Sequence, residues 1–309
     1  MKSGCIKKTF FGCSAVFLFF FIVIILLIIS AELPEIDFTS LDTKKREYEI
    51  EADSLTKENV ITSSFSWQFV DNNFKKRRYD IKLKLLESNV KEAMDYIEKL
   101  AAMSYKELGL KRKYSNPITE SRAVWTEVYS RIYNYSFPQM KSVFEGLNKI
   151  FIEEKFETRD RVYFVITFIQ NIMYERPGGV LDLFPPIGTL AYRFGDCDSK
   201  ALLLYVILER MGVDCAMLWS HNYKHAMLGI SVSAKGEYLI TNGKKYYILE
   251  TTYPQWNVGD IPPEFSNTKF WFIAEIDNEV NKRNLINTED DGSNETESRR
   301  DTKPSPSKP

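Results

Sequence analysis

The sequence predicts an α+β fold preceded by one transmembrane helix. Alternating apolar and polar residues, typical of strands, are interspersed with apolar residues at three- and four-residue spacing, typical of amphipathic helices. The chain has 309 residues, 44% of them hydrophobic, which is enough for a large core. A stretch of 23 residues near the N-terminus, 9–31, carries no charge at all.

The overall composition excludes several classes of protein. The formal net charge is −1, from 41 Lys and Arg against 42 Asp and Glu, which argues against a strongly basic nucleic-acid binder. Four cysteines are too few for a disulfide-stapled scaffold. Two histidines without a Cys/His cluster argue against a zinc site. We therefore expect no metal, no cofactor and no nucleic-acid partner.

The uncharged stretch 9–31 has the length of a membrane span. As a helix it would extend about 34 Å, enough to cross a hydrocarbon core. A cleaved signal peptide ending at Ala31 is the alternative, but the apolar run is longer than such peptides require. We favour an uncleaved anchor with the N-terminus in the cytoplasm, because the flanking charges are basic before it and acidic after it: Lys2, Lys7 and Lys8, then Glu32, Glu35 and Asp37.

The rest of the chain is predicted to lie outside the cytoplasm in four segments. Residues 32–64 are polar and indicate a linker, and 65–154 indicate an N-terminal extracytoplasmic region of two strands and several helices. Residues 155–275 form the domain that carries the candidate chemistry. Residues 276–309 are so poor in large apolar side chains that we expect a disordered polar tail.

Periodicity places the elements within these segments. Strands are predicted over 65–69 and 79–85, joined by a turn at Asp71-Asn72-Asn73. A helix is predicted over 88–102, and a largely buried one over 162–173. Residues 104–118 are interpreted as a loop, with further helices around 124–133 and after Pro138.

Cys197 is the candidate nucleophile among the residues beyond the anchor. It lies in the first turn of a mostly apolar helix that Asp196 can cap and Gly212 ends. The free N–H groups of a helix N-terminus favour thiolate over thiol, although Asp196 and Asp198 oppose this. A nearby imidazolium would then be needed. Cys215 begins an apolar strand and is interpreted as a core residue.

Chain geometry brings His225 and Glu250 toward Cys197. The helix runs away from Cys197, and the strand after Gly212 returns over a similar length, so that His225 opens the next strand at the Cys197 end. Glu250 ends a later strand at the same end, provided that residues 237–241 do not form a complete intervening strand. A lone Cys at a helix start is more often packed than catalytic, but the order Cys, His, acid favours a triad.

Four ordered motifs resemble the transglutaminase-like superfamily, whose core is similar to that of papain-type cysteine proteases. They are Gly195-Asp-Cys-Asp-Ser-Lys-Ala-Leu-Leu-Leu204, Gly212-Val-Asp-Cys-Ala216, His225-Ala-Met-Leu-Gly229 and Tyr247-Ile-Leu-Glu-Thr-Thr252. The similarity spans roughly residues 155–262, and the segments Phe168–Tyr174 and Pro186–Leu190 also resemble bacterial members, which suggests a membrane-anchored bacterial-type member. It implies a Cys-bearing helix packed on an antiparallel sheet.

The resemblance also implies roles for individual residues. Cys197 would be the nucleophile, His225 the general base and acid, and Glu250 the acid that orients the imidazole, a position where aspartate is commoner. Gln170 would donate to the oxyanion together with the backbone N–H of Cys197. A structural role for Gln170 remains the alternative, since it lies on an apolar helix.

The expected function is acyl transfer or amide hydrolysis through a Cys thioester. The expected substrates are proteins, peptides or peptidoglycan-type amides, and the sequence does not choose between water and an amine as the acceptor. The alternative is a catalytically inactive binding or scaffold protein of the same fold at the cell surface.

Overall fold

Strands and helices alternate along the chain in the computed structural model, which describes residues 42–51 and 59–276. The strands are β1 (Asp42–Glu51), β2 (Val60–Val70), β3 (Lys76–Leu86), β4 (Met173–Tyr174), β5 (Phe194–Gly195), β6 (Cys215–Ser220), β7 (His225–Ile230), β8 (Tyr238–Thr241), β9 (Lys244–Leu249) and β10 (Phe272–Ala274). The helices are α1 (Glu87–Ala101), α2 (Pro117–Gln139), α3 (Lys141–Glu153), α4 (Thr158–Gln170), α5 (Pro186–Tyr192) and α6 (Cys197–Arg210). Two 3₁₀ turns, Pro263–Phe265 and Thr268–Phe270, precede β10. The fold is therefore α+β, as predicted.

A three-stranded sheet of order β1-β3-β2 forms the first part of the described chain. β2 and β3 are the predicted hairpin and pair antiparallel. Asp71 makes the turn between them, because its carboxylate accepts hydrogen bonds from the backbone N–H groups of Asn73 and Lys75, both at 2.9 Å. The predicted turn chemistry is confirmed.

β1 corrects the prediction of a linker over 32–64. Residues 42–51 instead form an edge strand that pairs parallel to β3. The sequence pattern is weak because most side chains of β1 are charged, and its two large apolar ones are Tyr48 and Ile50. The Tyr48 hydroxyl donates to Glu154, the residue after α3, at 2.5 Å. Ile50 packs against Gly146 of α3 so closely that a Cβ at Gly146 would clash with its side chain.

The second sheet has five strands in the order β10-β6-β7-β9-β8. Its pairs are antiparallel. Both faces are covered, so every residue of β6 and β7 is buried. Met217 and Leu228 belong to the main core shared with α6, whereas Leu218 and Met227 pack with Trp271 on the opposite face. The predicted arrangement of the Cys197 helix on an antiparallel sheet is present.

The helix boundaries agree with the prediction at some places and differ at others. α1 and α4 lie close to the predicted helices over 88–102 and 162–173. α2 begins at Pro117, so the predicted loop over 104–118 is too long. The reason is local: Asn116 caps the helix by accepting from the N–H of Thr119 at 2.9 Å, and proline is favoured in the first turn.

The hydrophobic core runs without a break across the predicted boundary between residues 154 and 155. Trp67 of β2 stacks on Phe168 of α4 with ring centroids 4.9 Å apart. Tyr133 of α2 contacts Tyr205 of α6 edge to face at 5.3 Å. The two segments, separate in the sequence analysis, thus share one core in the structure.

The predicted membrane anchor, residues 9–31, lies outside the described residues, as does the polar tail from residue 277 onward. Within 42–51 and 59–276, no helix combines the length and the apolar character needed to span a bilayer.

Candidate active site

Cys197 is the first residue of α6, and the start of this helix is built by its neighbours. Asp196 caps the helix by accepting from the backbone N–H of Ser199 at 2.9 Å and from its hydroxyl at 2.6 Å. Gly195 is required by close packing, because a Cβ there would lie 2.8 Å from the Cβ of Ser199. These contacts fix the direction in which the Cys197 thiol leaves the helix.

His225 opens β7, and Glu250 directly follows β9. β9 pairs directly with β7, with Leu228 opposite Leu249. β8 lies outside β9 at the edge of the sheet and does not intervene. The condition set for residues 237–241 in the sequence analysis is therefore met, and the Nε2 atom of His225 lies 2.8 Å from a carboxylate oxygen of Glu250.

The Glu250 carboxylate is held on both oxygens. One accepts from the His225 ring, and the other accepts from the Thr252 backbone N–H at 2.7 Å and from its hydroxyl at 2.6 Å. Burial alone would raise the pKa of this residue, which is 1% exposed, but the bonds from His225 and Thr252 outweigh it and lower the pKa. Because an ionised carboxylate only accepts, Nε2 of His225 donates and Nδ1 is left as the basic nitrogen.

Aromatic side chains cover the His225 ring. Phe265 stacks on it with centroids 4.5 Å apart and planes at 25°, and Trp271 lies at 6.0 Å. His225 is consequently only 8% exposed. The segment between Pro262 and Trp271 therefore shields the imidazole from water.

The Cys197 thiol lies at the same end of the sheet, because the backbone N–H of Ala226, the residue after His225, donates toward its sulfur. The thiol is 5% exposed. Burial raises its pKa well above the usual value, the charges of Asp198 and Asp196 add to this, and the Ala226 N–H opposes it. Burial and the charges of Asp198 and Asp196, the two residues expected to oppose the helix terminus, therefore disfavour the thiolate.

The oxyanion role expected for Gln170 is corrected by its contacts. Its side-chain amide nitrogen donates to the backbone carbonyls of Glu250 and Trp256, both at 2.9 Å. An amide nitrogen carries two hydrogens, so both are used. Gln170 instead braces the segment that follows Glu250, which was the alternative left open by its position on an apolar helix.

Lys200 is a buried site residue that sequence reasoning missed. It lies one turn after Cys197, is fully buried, and its Nζ atom donates to the carbonyls of Gln170 (3.2 Å), Ile172 (2.7 Å) and Thr252 (2.7 Å). Burial lowers its pKa to about 7, and Glu250 opposes this. Three acceptors match the three donors of an ammonium group, so Lys200 ties the Cys197 helix to the segment that carries Glu250.

Tyr129 was also missed, because it comes from α2, far away in the sequence. It is fully buried, and its hydroxyl donates to the partly buried Asp198 carboxylate. The other carboxylate oxygen of Asp198 accepts from the Cys197 thiol at 3.3 Å. Its signal in the sequence was only the helical period of α2, which does not distinguish a packed tyrosine from a functional one.

No metal ligand is assigned at residues 196–198. The two carboxylates and the thiol come within 4.8 Å of one another, and this is the one such group in the part of the chain that the structure describes. Asp196 is the helix cap and Asp198 accepts from Tyr129 and Cys197, so hydrogen bonds account for the positions of both carboxylates.

A cleft of about 860 Å³ is formed by β2, the turn after it, α4 and residues 254–257, and Cys197 is not among its lining residues. Gln170 lines this cleft as well as contacting the segment that follows Glu250.

Comparison with known proteins adds no assignment: no family model, no curated protein and no solved structure matches this chain.

Proposed function

We propose that this protein is a membrane-anchored, extracytoplasmic cysteine enzyme of the transglutaminase-like type. It transfers or hydrolyses amide-linked acyl groups through a thioester on Cys197. The observation that carries the proposal is the buried bond between His225 and Glu250, 2.8 Å long, at the end of the sheet where the Ala226 N–H reaches the Cys197 sulfur. A nucleophile, a base and an orienting acid on three separate elements form the arrangement that acyl transfer needs.

The proposed reaction assigns one step to each group. The thiol proton passes to Nδ1 of His225, and the sulfur attacks the amide carbonyl carbon. The backbone N–H of Cys197, free at the helix start, donates to the oxyanion. His225 then protonates the leaving amine as the C–N bond breaks. Water or a second amine attacks the thioester, the C–S bond breaks, and a proton returns to the sulfur.

The proposed substrates are proteins, peptides or peptidoglycan-type amides outside the cytoplasm. The anchor over residues 9–31 would hold the enzyme at the membrane, with its N-terminus in the cytoplasm and the remaining chain outside. This part of the proposal rests on the sequence alone.

The second candidate is a scaffold or binding protein of the same fold without turnover. The observation that favours it is the state of the thiol, which is 5% exposed and whose pKa is raised by burial and by Asp198. A reactive cysteine normally has a lowered pKa and better access. The two candidates differ in whether any amide substrate is consumed.

The test is turnover by the full-length chain on glutamine-containing peptides and on peptidoglycan fragments, followed by release of ammonia or amine. Cys197→Ala removes the nucleophile, so the rate should fall to background while the fold persists. Cys215→Ala is the matched control, because Cys215 is also buried, but its thiol at the start of β6 contacts Tyr205 and Glu209 and none of the proposed triad. Turnover that survives Cys197→Ala contradicts the mechanism, and no turnover by the wild type on either substrate class favours the scaffold.

A further inference from the structure

Asp198 lies between the candidate nucleophile and a tyrosine from another part of the fold. One of its carboxylate oxygens accepts from the Cys197 thiol, with 3.3 Å between sulfur and oxygen. The other accepts from the Tyr129 hydroxyl. The carboxylate is therefore held at both ends, and the thiol hydrogen points at a group that favours its remaining on sulfur.

We propose that Asp198, fixed by Tyr129, restrains Cys197 by keeping it as the un-ionised thiol, and that protonation of Asp198 releases the restraint. The inference rests on the proposed function, because a restraint on the thiol regulates only a site that reacts. In the restrained state the proton stays on sulfur. Once Asp198 is neutral, the same proton can pass to Nδ1 of His225, and the thiolate then lies beside an imidazolium without an adjacent negative charge.

The charged and titratable groups around the thiol come from four elements. On α6 and its cap they are Asp198 and Asp196, and from α2 the Tyr129 hydroxyl arrives. β7 contributes His225, whose charge acts on Asp198, and the Ala226 N–H. β4 contributes Tyr174, whose pKa burial raises to about 12, with Cys197 and Asp196 adding to the rise. Because two carboxylates and one imidazole surround the Cys197 sulfur, the electrostatic environment disfavours a thiolate.

Burial decides the direction of the Asp198 pKa shift. Burial raises the pKa of Asp198, while the hydrogen bonds from Tyr129 and Cys197 and the charge of His225 lower it, and the net change is upward. Asp198 therefore takes up a proton at milder acidity than an ordinary carboxyl group. The restraint would then weaken as the surroundings become acidic.

The segment 65–154 contributes to the site through its helix α2, which supplies Tyr129. Because Tyr129 belongs to the shared core and is fully buried, its hydroxyl has a fixed position. Tyr129 is thus a positioning residue that acts on Cys197 through Asp198.

The experiment measures the rate at which iodoacetamide alkylates Cys197 in the full-length chain between pH 5 and 8, quantified on the Cys197 peptide by mass spectrometry. Asp198→Asn keeps the shape of the side chain and removes its charge. The alkylation rate at pH 7 should rise about tenfold, which corresponds to lowering the thiol pKa by roughly one unit. Tyr129→Phe should raise the rate by a smaller factor, because Asp198 is then protonated more easily.

Tyr133→Phe is the matched control. Tyr133 lies one turn later on α2, is equally buried and packs on Tyr205. Its replacement should leave the alkylation rate unchanged. A rate that falls in Asp198→Asn would make Asp198 a base that withdraws the proton, and an unchanged rate would make it a bystander; either result overturns the inference.

The outcome is independent of turnover. Faster alkylation in Asp198→Asn can be observed even if no amide substrate is consumed, so failure of the proposed function and failure of the restraint are distinguishable.

Discussion

Two carboxylates of the candidate site, Glu250 beside the His225 imidazole and Asp198 beside the Cys197 thiol, have pKa values shifted in opposite directions. At the imidazole end, Glu250 is almost fully buried, yet its pKa is lowered because His225 and Thr252 donate three hydrogen bonds to it. At the thiol end, Asp198 has a raised pKa although Tyr129 and Cys197 donate to it. Burial acts in the same direction on both. At Glu250 the hydrogen bonds and the charge of His225 outweigh burial, whereas at Asp198 burial outweighs the corresponding bonds and charge.

The largest expected effect comes from breaking the imidazole end. Glu250→Ala removes the carboxylate and leaves His225 and the Thr252 N–H buried without this acceptor. The free energy of unfolding should fall by about 3–5 kcal/mol, as for the loss of one partner of a buried pair. Urea titration of the full-length chain measures it.

The control for that substitution is Glu264→Ala, on the exposed 3₁₀ turn Pro263–Phe265. It should change the unfolding free energy by no more than about 0.5 kcal/mol. If Glu250→Ala were equally mild, the three hydrogen bonds would not be what keeps this end ionised. Glu250→Gln should lower turnover less completely than Cys197→Ala, because an amide oxygen can still orient the ring.

A smaller effect is expected from loosening the link between the two ends. Lys200→Met removes the ammonium group and leaves the carbonyls of Gln170, Ile172 and Thr252 without this donor. We expect a loss on the order of 2 kcal/mol in unfolding free energy, together with slower turnover, since Glu250 loses its support from α6. Thermal unfolding and the amide assay measure the two effects.

Lys269→Met, on the exposed turn Thr268–Phe270, is the control and should alter neither quantity. A more stable Lys200→Met protein would show that the cost of burying this charge exceeds its three hydrogen bonds. The lysine would then be present for the site and not for the fold.

The smallest expected effect is the pH dependence of the unfolding free energy that arises from Asp196. Burial, with the charge of Asp198, raises the pKa of Asp196 from 3.8 to about 7 against the bonds from Ser199, so the folded chain binds this proton more readily than the unfolded chain. The unfolding free energy of the wild type relative to Asp196→Asn should therefore rise as pH falls from 7 to 5, by about 1–2 kcal/mol. Asparagine still caps the helix, so capping is not lost.

Glu250 should behave in the opposite sense over a lower range. Its lowered pKa contributes stability that is present above its usual value of 4.5 and is lost as pH falls below it. The difference between wild type and Glu250→Gln should thus stay flat from pH 7 to 5. Parallel slopes for Asp196→Asn and Glu250→Gln in that range would refute the contrast between the two ends.

The sequence was most informative where one local pattern was sufficient. The hairpin β2–β3 followed from alternation and turn residues, and the positions of His225 and Glu250 followed from the lengths of α6 and the strands after it. These predictions need only element periods and rises per residue. The charged strand β1 could not be found in this way, because its pairing with β3 and its packing on α3 replace the usual apolar alternation.

Contacts between distant segments were beyond the sequence. Tyr129 and Asp198 are 69 positions apart, and Gln170 and Glu250 are 80 apart. No local period encodes such a pairing. Lys200 was missed for another reason. A lysine in an apolar helix suggests a solvent-exposed position, whereas the Lys200 ammonium is buried and donates to three backbone carbonyls of other segments.

The hydrogen bonds to Glu250 limit which acidic residue can occupy this position. One carboxylate oxygen accepts from Thr252, two residues later, and the other accepts from the His225 ring on the neighbouring strand. Aspartate, shorter by one methylene, would have to give up one of these two anchors. Side-chain length at this site is therefore set by the spacing of two fixed anchors, so the two acids are not interchangeable here even though their chemistry is the same.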